Sequence, residues 1–204
     1  MGKDYEVILL DIGGVLVEIK RDSKILEWAN GMSDSDALWK RWFATPAMDA
    51  YHKGKISTDD FAHSMISEFK MPVSKECFLE EYAGYPEGLF AGVEEVLEDL
   101  AKRYMVVTFS NNNEIHWDRI CAGNKFSSLF HRHFLSHDIG MVKPDKEAYL
   151  YVIKELGLSP EKILFFDDNE QNIDVAKEVG MQAIRVKGFV ELKSKLEELG
   201  LIDA

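Results

Sequence analysis

The chain has 204 residues, 46% of them apolar and 29% charged, and a formal net charge of -12 at neutral pH. That length supports one sizeable core, or a core with a small accessory unit. The acidic balance excludes a nucleic-acid partner held by a general positive field. No apolar run approaches the roughly 18 residues of a membrane span, so no membrane-spanning helix is expected. Cys77 and Cys121 have neither CxxC spacing nor the density of a disulfide scaffold, as expected for a reducing, cytoplasmic setting. The opening MGKDYE precedes only a short apolar run, so no secretory leader is expected. Glu6 stands where a myristoylation pattern needs Ser or Thr.

The first stretch with a clear shape is VILLDIGGVLV, Val7 to Val17. Four consecutive apolar residues that stop abruptly predict a strand buried on both faces, as in a parallel sheet. Asp11 then falls at the carboxyl end of the strand, where open α/β sheets place their ligands. Gly13 and Gly14 let the chain turn and a ligand approach the backbone. From about Ser23 to Tyr85 the pattern becomes helical. N-cap residues precede helical patterns near Ser23, Ser35, Thr45, Thr58 and Ser74. In TDDFAHSMISEF the spacing of Phe61, Met65, Ile66 and Phe69 predicts a buried helix face. Trp28, Trp39 and Trp42 are expected in that helical core, with one of them available to line a pocket.

Gly88 to Gly92 reads as a turn-rich break, after which helix and strand alternate. Val93, Val96, Leu97 and Leu100 share one helical face. A strand from Tyr104 to Phe109 ends in Ser110-Asn111-Asn112-Asn113. A helix through Trp117 and Ile120 leads to a short strand around His133 to Ser136. Lys143-Pro144-Asp145 opens a helix carrying Ala148, Val152 and Leu156. Ile163 to Phe166 is a further strand, ending in Asp167-Asp168-Asn169. A helix with Ile173, Ala176 and Val179 stops at Gly180, a C-cap glycine. Gln182 to Val186 is the last strand, and Phe189 to Leu199 the closing helix. The expected fold is therefore an α/β, doubly wound parallel sheet of about five strands. A small α-helical cap is inserted after the first strand. Residues 1–19 and 87–204 are assigned to the core and residues 20–86 to the cap.

In such a sheet the polar strand ends converge on one edge. Asp11 and Asp167-Asp168 would repel each other unless a cation lay between them. A few oxygen ligands with room for water and phosphate is a common Mg²⁺ arrangement. Ser110, Asn111 and the helix start behind them offer hydroxyl and N–H groups to an oxyanion, and Lys143 adds a fixed positive charge. A carboxylate, a metal site, a hydroxyl and a lysine at one edge point to phosphoryl transfer through an aspartyl-phosphate.

DIGGV, the strand ending in Ser110-Asn111, the lysine of GMVKPD and the strand FFDDNEQN resemble, in order and spacing, the four motifs of the haloacid dehalogenase superfamily. Together they span most of the chain. The helical insert resembles that family's α-helical cap. Within the superfamily, YHKGKIST, SHDIGMVKP and FFDDN look most like sugar-phosphate phosphatases acting on glucose 1-phosphate. The resemblance implies that Asp11 is nucleophile and metal ligand, with the Gly13 carbonyl and Asp168 as further ligands of Mg²⁺. It places Asp167 behind the metal or sharing it, and Asn172 in support. Ser110 and the Asn111 N–H would bind the phosphoryl group, and Lys143 would hold both nucleophile and phosphoryl oxygens. The implied partner is a small phosphorylated metabolite, with the protein a monomer or homodimer.

One position departs from the pattern. Typical phosphatases of this family carry a second aspartate two residues after the nucleophile, which protonates the leaving group and later activates water. Here that position is Gly13. Loss of a general acid typically costs about 10²–10⁴-fold in rate. The expected substrate therefore has an acidic leaving oxygen, such as an anomeric hydroxyl, an acyl group or a phenol. Glu18 is the one nearby carboxylate considered as a replacement. Two alternatives follow from Gly13: a weakly catalytic phosphate-binding or regulatory domain, and a dehalogenase. The latter needs no metal and leaves Asp167-Asp168 without a purpose. His131, His133 and His137 are expected as polar strand-end residues rather than a metal site. Lys20, Arg21, His52, Lys53 and Lys55 would either offset the acidic field near the cap or lie on a solvated surface. Asn112 and Asn113 are assigned to the loop and helix start.

Overall fold

The computed structural model describes residues 5–20, 24–29 and 35–203. Ser23 and Arg21 lie outside the described residues. Seven strands and eleven α-helices are described: β1 (Val7–Leu10), β2 (Val17–Ile19), α1 (Lys24–Trp28), α2 (Ser35–Phe43), α3 (Pro46–His52), α4 (Thr58–Phe69), α5 (Lys75–Ala83), β3 (Pro86–Leu89), α6 (Val93–Ala101), β4 (Met105–Ser110), α7 (Glu114–Cys121), β5 (Arg132–Leu135), α8 (Ser136–Ile139), α9 (Lys146–Leu156), β6 (Ile163–Asp167), α10 (Glu170–Glu178), β7 (Gln182–Arg185) and α11 (Phe189–Glu198).

Five strands form one parallel sheet in the order β5-β4-β1-β6-β7. β1 is central and its four residues are fully buried, because helices cover both faces. Its side chains alternate between layers. Ile8 and Leu10 pack with α6 and α11 through Leu97, Leu100, Leu192 and Leu196. Val7 and Leu9 pack with α9 and α10 through Ala148, Val152, Ile173 and Ala176. The doubly wound sheet is as the sequence predicts.

The helices α1–α5 have a separate apolar cluster built on Leu38, Trp42, Met48, Phe61, Met65 and Phe78. Tyr51 stacks on Phe61 with ring centroids 4.2 Å apart. Thr45 and Ser74 cap α3 and α5 by accepting from Met48 N–H and Cys77 N–H. The cap of α4 is Ser57 rather than Thr58. Gly180 stands one residue past the C-cap Val179, with φ 94°.

Residues 86–89, read from the sequence within or beside a turn-rich break, are a strand. β3 pairs antiparallel with β2, joining Val17 to Leu89 and Glu18 to Gly88. Strands of three and four residues containing Pro86 and Gly88 lack the apolar periodicity that marks a strand. The chain enters the helices by way of β2 and returns through β3, so both passages lie side by side.

Candidate active site

β1 delivers Asp11 to the carboxyl edge of the sheet, where its backbone N–H donates to the Phe166 carbonyl at 2.9 Å. The chain then coils tightly: Leu16 and Val17 N–H groups donate to the Ile12 carbonyl at 2.8 and 2.9 Å. Gly14 has φ 73°, and a Cβ there would stand 2.8 Å from Asp168 Oδ2. Backbone and neighbour both require glycine at that position. Gly13 is different. Its φ is not in the left-handed region, and a Cβ would meet only Ile19, at 3.5 Å. Nothing in the local fold of the described residues excludes a side chain at residue 13.

Lys143 is almost wholly buried and joins two carboxylates. Its Nζ lies 2.9 Å from Asp11 Oδ1 and 2.5 Å from Asp167 Oδ2. The same ammonium stands over the rings of Phe109 and Phe165, at 5.3 and 5.4 Å from their centroids, an electrostatically favourable seat. Burial pulls the Lys143 ammonium toward neutrality, but Asp11 and Asp167 outweigh it and leave it above the usual lysine range. Burial raises the Asp11 carboxyl to about 6; Lys143 opposes the rise, while Asp167 and Asp168 add to it. Burial, then Asp167, also raises Asp168.

Asp167 is completely buried, and its oxygens are already engaged. Asn172 Nδ2 donates to both, at 2.9 and 3.0 Å, and Asn169 N–H donates to Oδ1 at 2.8 Å. Asn172 Oδ1 is buried with no hydrogen-bond partner. Asp11, Asp167 and Asp168 each offer an oxygen within 4.8 Å of the others, the one group among the described residues that could hold a metal ion. An orphaned acceptor beside three converging carboxylates suits a small, hard cation with oxygen ligands. Lys143 and Asn172 already engage Asp167, while Asp11 and Asp168 line the cavity itself.

β4 ends at Ser110, and the three asparagines after it have separate tasks. The Asn111 side chain grips the Lys143 backbone: Nδ2 donates to the Lys143 carbonyl at 2.7 Å and Oδ1 accepts from its N–H at 2.8 Å. Sequence reasoning considered only the Asn111 N–H and missed this clamp, which depends on a residue 32 positions away. Asn112 N–H donates to Ser136 Oγ at 2.9 Å. Asn113 caps α7 by accepting from His116 N–H at 3.1 Å, and its Nδ2 donates to Tyr82 Oη at 3.0 Å. Asn112 and Asn113 thus serve the loop and helix start, and Asn113 also ties α7 to α5.

Asp11, Gly13, Ser110, Asn111, Lys143, Asp168 and Asn172 all line one cavity of about 1100 Å³ between the sheet edge and α1–α5. Asp167 lies beneath it. Glu18, exposed on β2, also borders the cavity, as do Lys20 and His52. Lys20 is paired with Glu81 at 2.9 Å and Lys53 with Asp49 at 2.6 Å, while Lys55 is exposed. Burial, with His116 and His137 nearby, lowers His52 to about 4, so it adds no cation at neutral pH. His131 Nδ1 accepts from Val106 N–H, and His133 packs edge-on against Trp117 and Phe130. Trp42 is core, whereas Trp39 is partly exposed on the cavity wall. Among the described residues no helix is long and apolar enough to cross a membrane.

The sequence matches the family model of the haloacid dehalogenase-like hydrolases over residues 5–180. It is 26% identical to a D-ribitol-5-phosphate phosphatase of Bacteroides thetaiotaomicron, over 93% of this chain and 95% of that one. It is 29% identical to a chloroplast flavin mononucleotide hydrolase of Arabidopsis thaliana, over 74% of this chain and 61% of the relative. A magnesium complex of a haloacid dehalogenase-family enzyme from Bacteroides thetaiotaomicron superposes with a TM-score of 0.79 at 25% identity, covering 91% of this chain and 94% of the other.

Proposed function

The chain belongs to the haloacid dehalogenase-like hydrolases, and from that premise we propose that it is a Mg²⁺-dependent phosphatase of a small phosphorylated metabolite. The observation that carries the proposal is the buried row Asp11–Lys143–Asp167 at the sheet edge, with Asp168 beside it. Asp11 Oδ attacks phosphorus, the bond from phosphorus to the leaving oxygen breaks, and an aspartyl-phosphate forms. Water then attacks that phosphorus and returns Asp11 with release of inorganic phosphate. Lys143 keeps Asp11 ionised and oriented and receives the negative phosphoryl oxygens. Ser110 and the Asn111 N–H take the remaining oxygens. Asp11, Asp168 and the Gly13 carbonyl would hold Mg²⁺, with Asp167 and Asn172 fixing them from behind. Bound there, Mg²⁺ would neutralise charge on the transferring group. The helices α1–α5, attached through β2 and β3, act as a cap over the cavity, the cap being residues 20–86 of the sequence.

Gly13 sets the substrate class. With no acid at this position, the leaving oxygen must depart largely as an anion. Sugar 1-phosphates, acyl phosphates and aryl phosphates meet that condition; alkyl phosphates meet it poorly. Because a side chain would fit at residue 13, its absence leaves room beside the scissile bond. Phosphate release from a panel of these esters, with Mg²⁺ and with a chelator, tests the reading. Turnover that needs Mg²⁺ and disappears in Asp11→Asn supports it. Intact folded protein that binds phosphate and Mg²⁺ but turns over none of them favours a binding or regulatory domain instead.

A further inference from the structure

The cavity that Asp11 lines also carries a row of rings drawn from three parts of the chain. Trp39 of α2 meets Tyr85 at 5.5 Å between centroids. Tyr85, just before β3, lies nearly parallel to His116 of α7, at 6.0 Å and 18°. Trp39 also leans edge-on against Trp42 behind it, at 5.8 Å, which holds the row in place. The nitrogens of His116 are taken up within the protein. His116 Nε2 is bonded to the Tyr82 carbonyl at 2.8 Å, and its Nδ1 lies 3.1 Å from Asn113 Nδ2. Burial lowers His116 to about 4, so the ring is neutral. Trp39, Tyr85 and His116 all line the cavity. Two of the most exposed large apolar side chains in the described structure, Phe43 and Val190, also line the cavity. They belong to α2 and α11.

We infer that Trp39, Tyr85 and His116 form a stacking wall that selects phosphomonoesters whose leaving group carries a planar aromatic ring. A hexose is held chiefly through hydrogen bonds to its hydroxyls, whereas this stretch of the lining is made of rings, with His116 already bonded to the Tyr82 carbonyl. A flat aromatic ring instead gains offset or edge contacts with each side chain of the row. The inference rests on the phosphatase reading and narrows its substrate classes to the aryl one.

The test compares phenyl phosphate and 1-naphthyl phosphate with glucose 1-phosphate and acetyl phosphate, using wild type, Trp39→Ala, Trp39→Phe and Tyr85→Ala with Mg²⁺. The expected result is a higher kcat/KM for the two aryl esters. Either alanine variant should raise the aryl KM about three- to tenfold, with kcat changed little and acetyl phosphate affected several-fold less. Trp39→Phe should recover most of the loss, which mere disruption of the fold would not allow. Equal KM changes for aryl and acetyl phosphate, or a wild-type preference for glucose 1-phosphate, would overturn the wall. If folded wild-type protein hydrolyses none of the four, the phosphatase reading fails, and calorimetric titration judges the wall alone. Phenylphosphonate binding more tightly than methylphosphonate, with the advantage lost in Trp39→Ala, supports it; equal binding refutes it.

Discussion

The substitution Asp11→Asn is expected to make the metal-free protein more stable while removing its proposed nucleophile. Burial lifts the Asp11 carboxyl from its ordinary 3.8 to about 6, so in the folded chain the charged form is disfavoured by about 3 kcal/mol. Between those two values the folded state holds a proton that the unfolded state has released. Stability is therefore lost as pH rises through this window, and the whole cost is present above about 6. Asparagine keeps the shape without the charge, and Lys143 retains its 2.5 Å contact with Asp167. In chelator near pH 7.5 the variant should melt about 6–12 °C above wild type, at 2–4 °C per kcal/mol for a chain of this size. The gap should be about half as large near pH 5 and small by pH 4. Thermal unfolding of both proteins across that range measures it. A variant no more stable than wild type at neutral pH, or a gap independent of pH, would refute the electrostatic account of Asp11.

Lys143→Met leaves two buried carboxylates without their shared cation and should cost about 3–5 kcal/mol in denaturant unfolding, with phosphate release falling to background. An unchanged unfolding midpoint would show that the row is not held by its charge. Gly14→Ala puts a Cβ 2.8 Å from Asp168 Oδ2 at φ 73°. Backbone strain of about 1–2 kcal/mol should accompany a weaker Mg²⁺ affinity by calorimetry, and unaltered affinity would argue against Asp168 as a ligand. Asp168→Asn should abolish the Mg²⁺-induced rise in Tm while leaving the Tm in chelator at or above that of wild type, since burial also raises this carboxyl. A full Mg²⁺ response in that variant would assign the ion elsewhere.

The legible parts of this fold are those where one residue pattern answers to one local force. β1, β4 and β6 stand out because strands covered on both faces are continuously apolar, and each stops at a polar residue that must face the edge. Thr45 and Ser74 mark helix starts because their oxygens satisfy backbone N–H groups at the first turn. β2 and β3 were invisible, since their pairing depends on each other rather than on either sequence. The residues of the site converge as the motif order implies, but their division of labour could not be read. That Asp167 takes the shorter contact with Lys143, that Asn111 clamps the lysine backbone, and that Trp39 meets Tyr85 all depend on segments far apart in the chain.

The β2–β3 ribbon has a consequence for inheritance. The way out of the sheet and the way back stand about 4.8 Å apart, the spacing of paired strands, so the ribbon is a socket. An insert whose two ends meet at that spacing leaves and rejoins the sheet without interrupting the segments that carry Asp11, Lys143 and Asp168. The proposed substrate contacts are divided, with Trp39 and Tyr85 inside the insert and Gly13 and His116 outside it, so remodelling the insert alters one part of the choice of substrate and leaves the reacting residues in place.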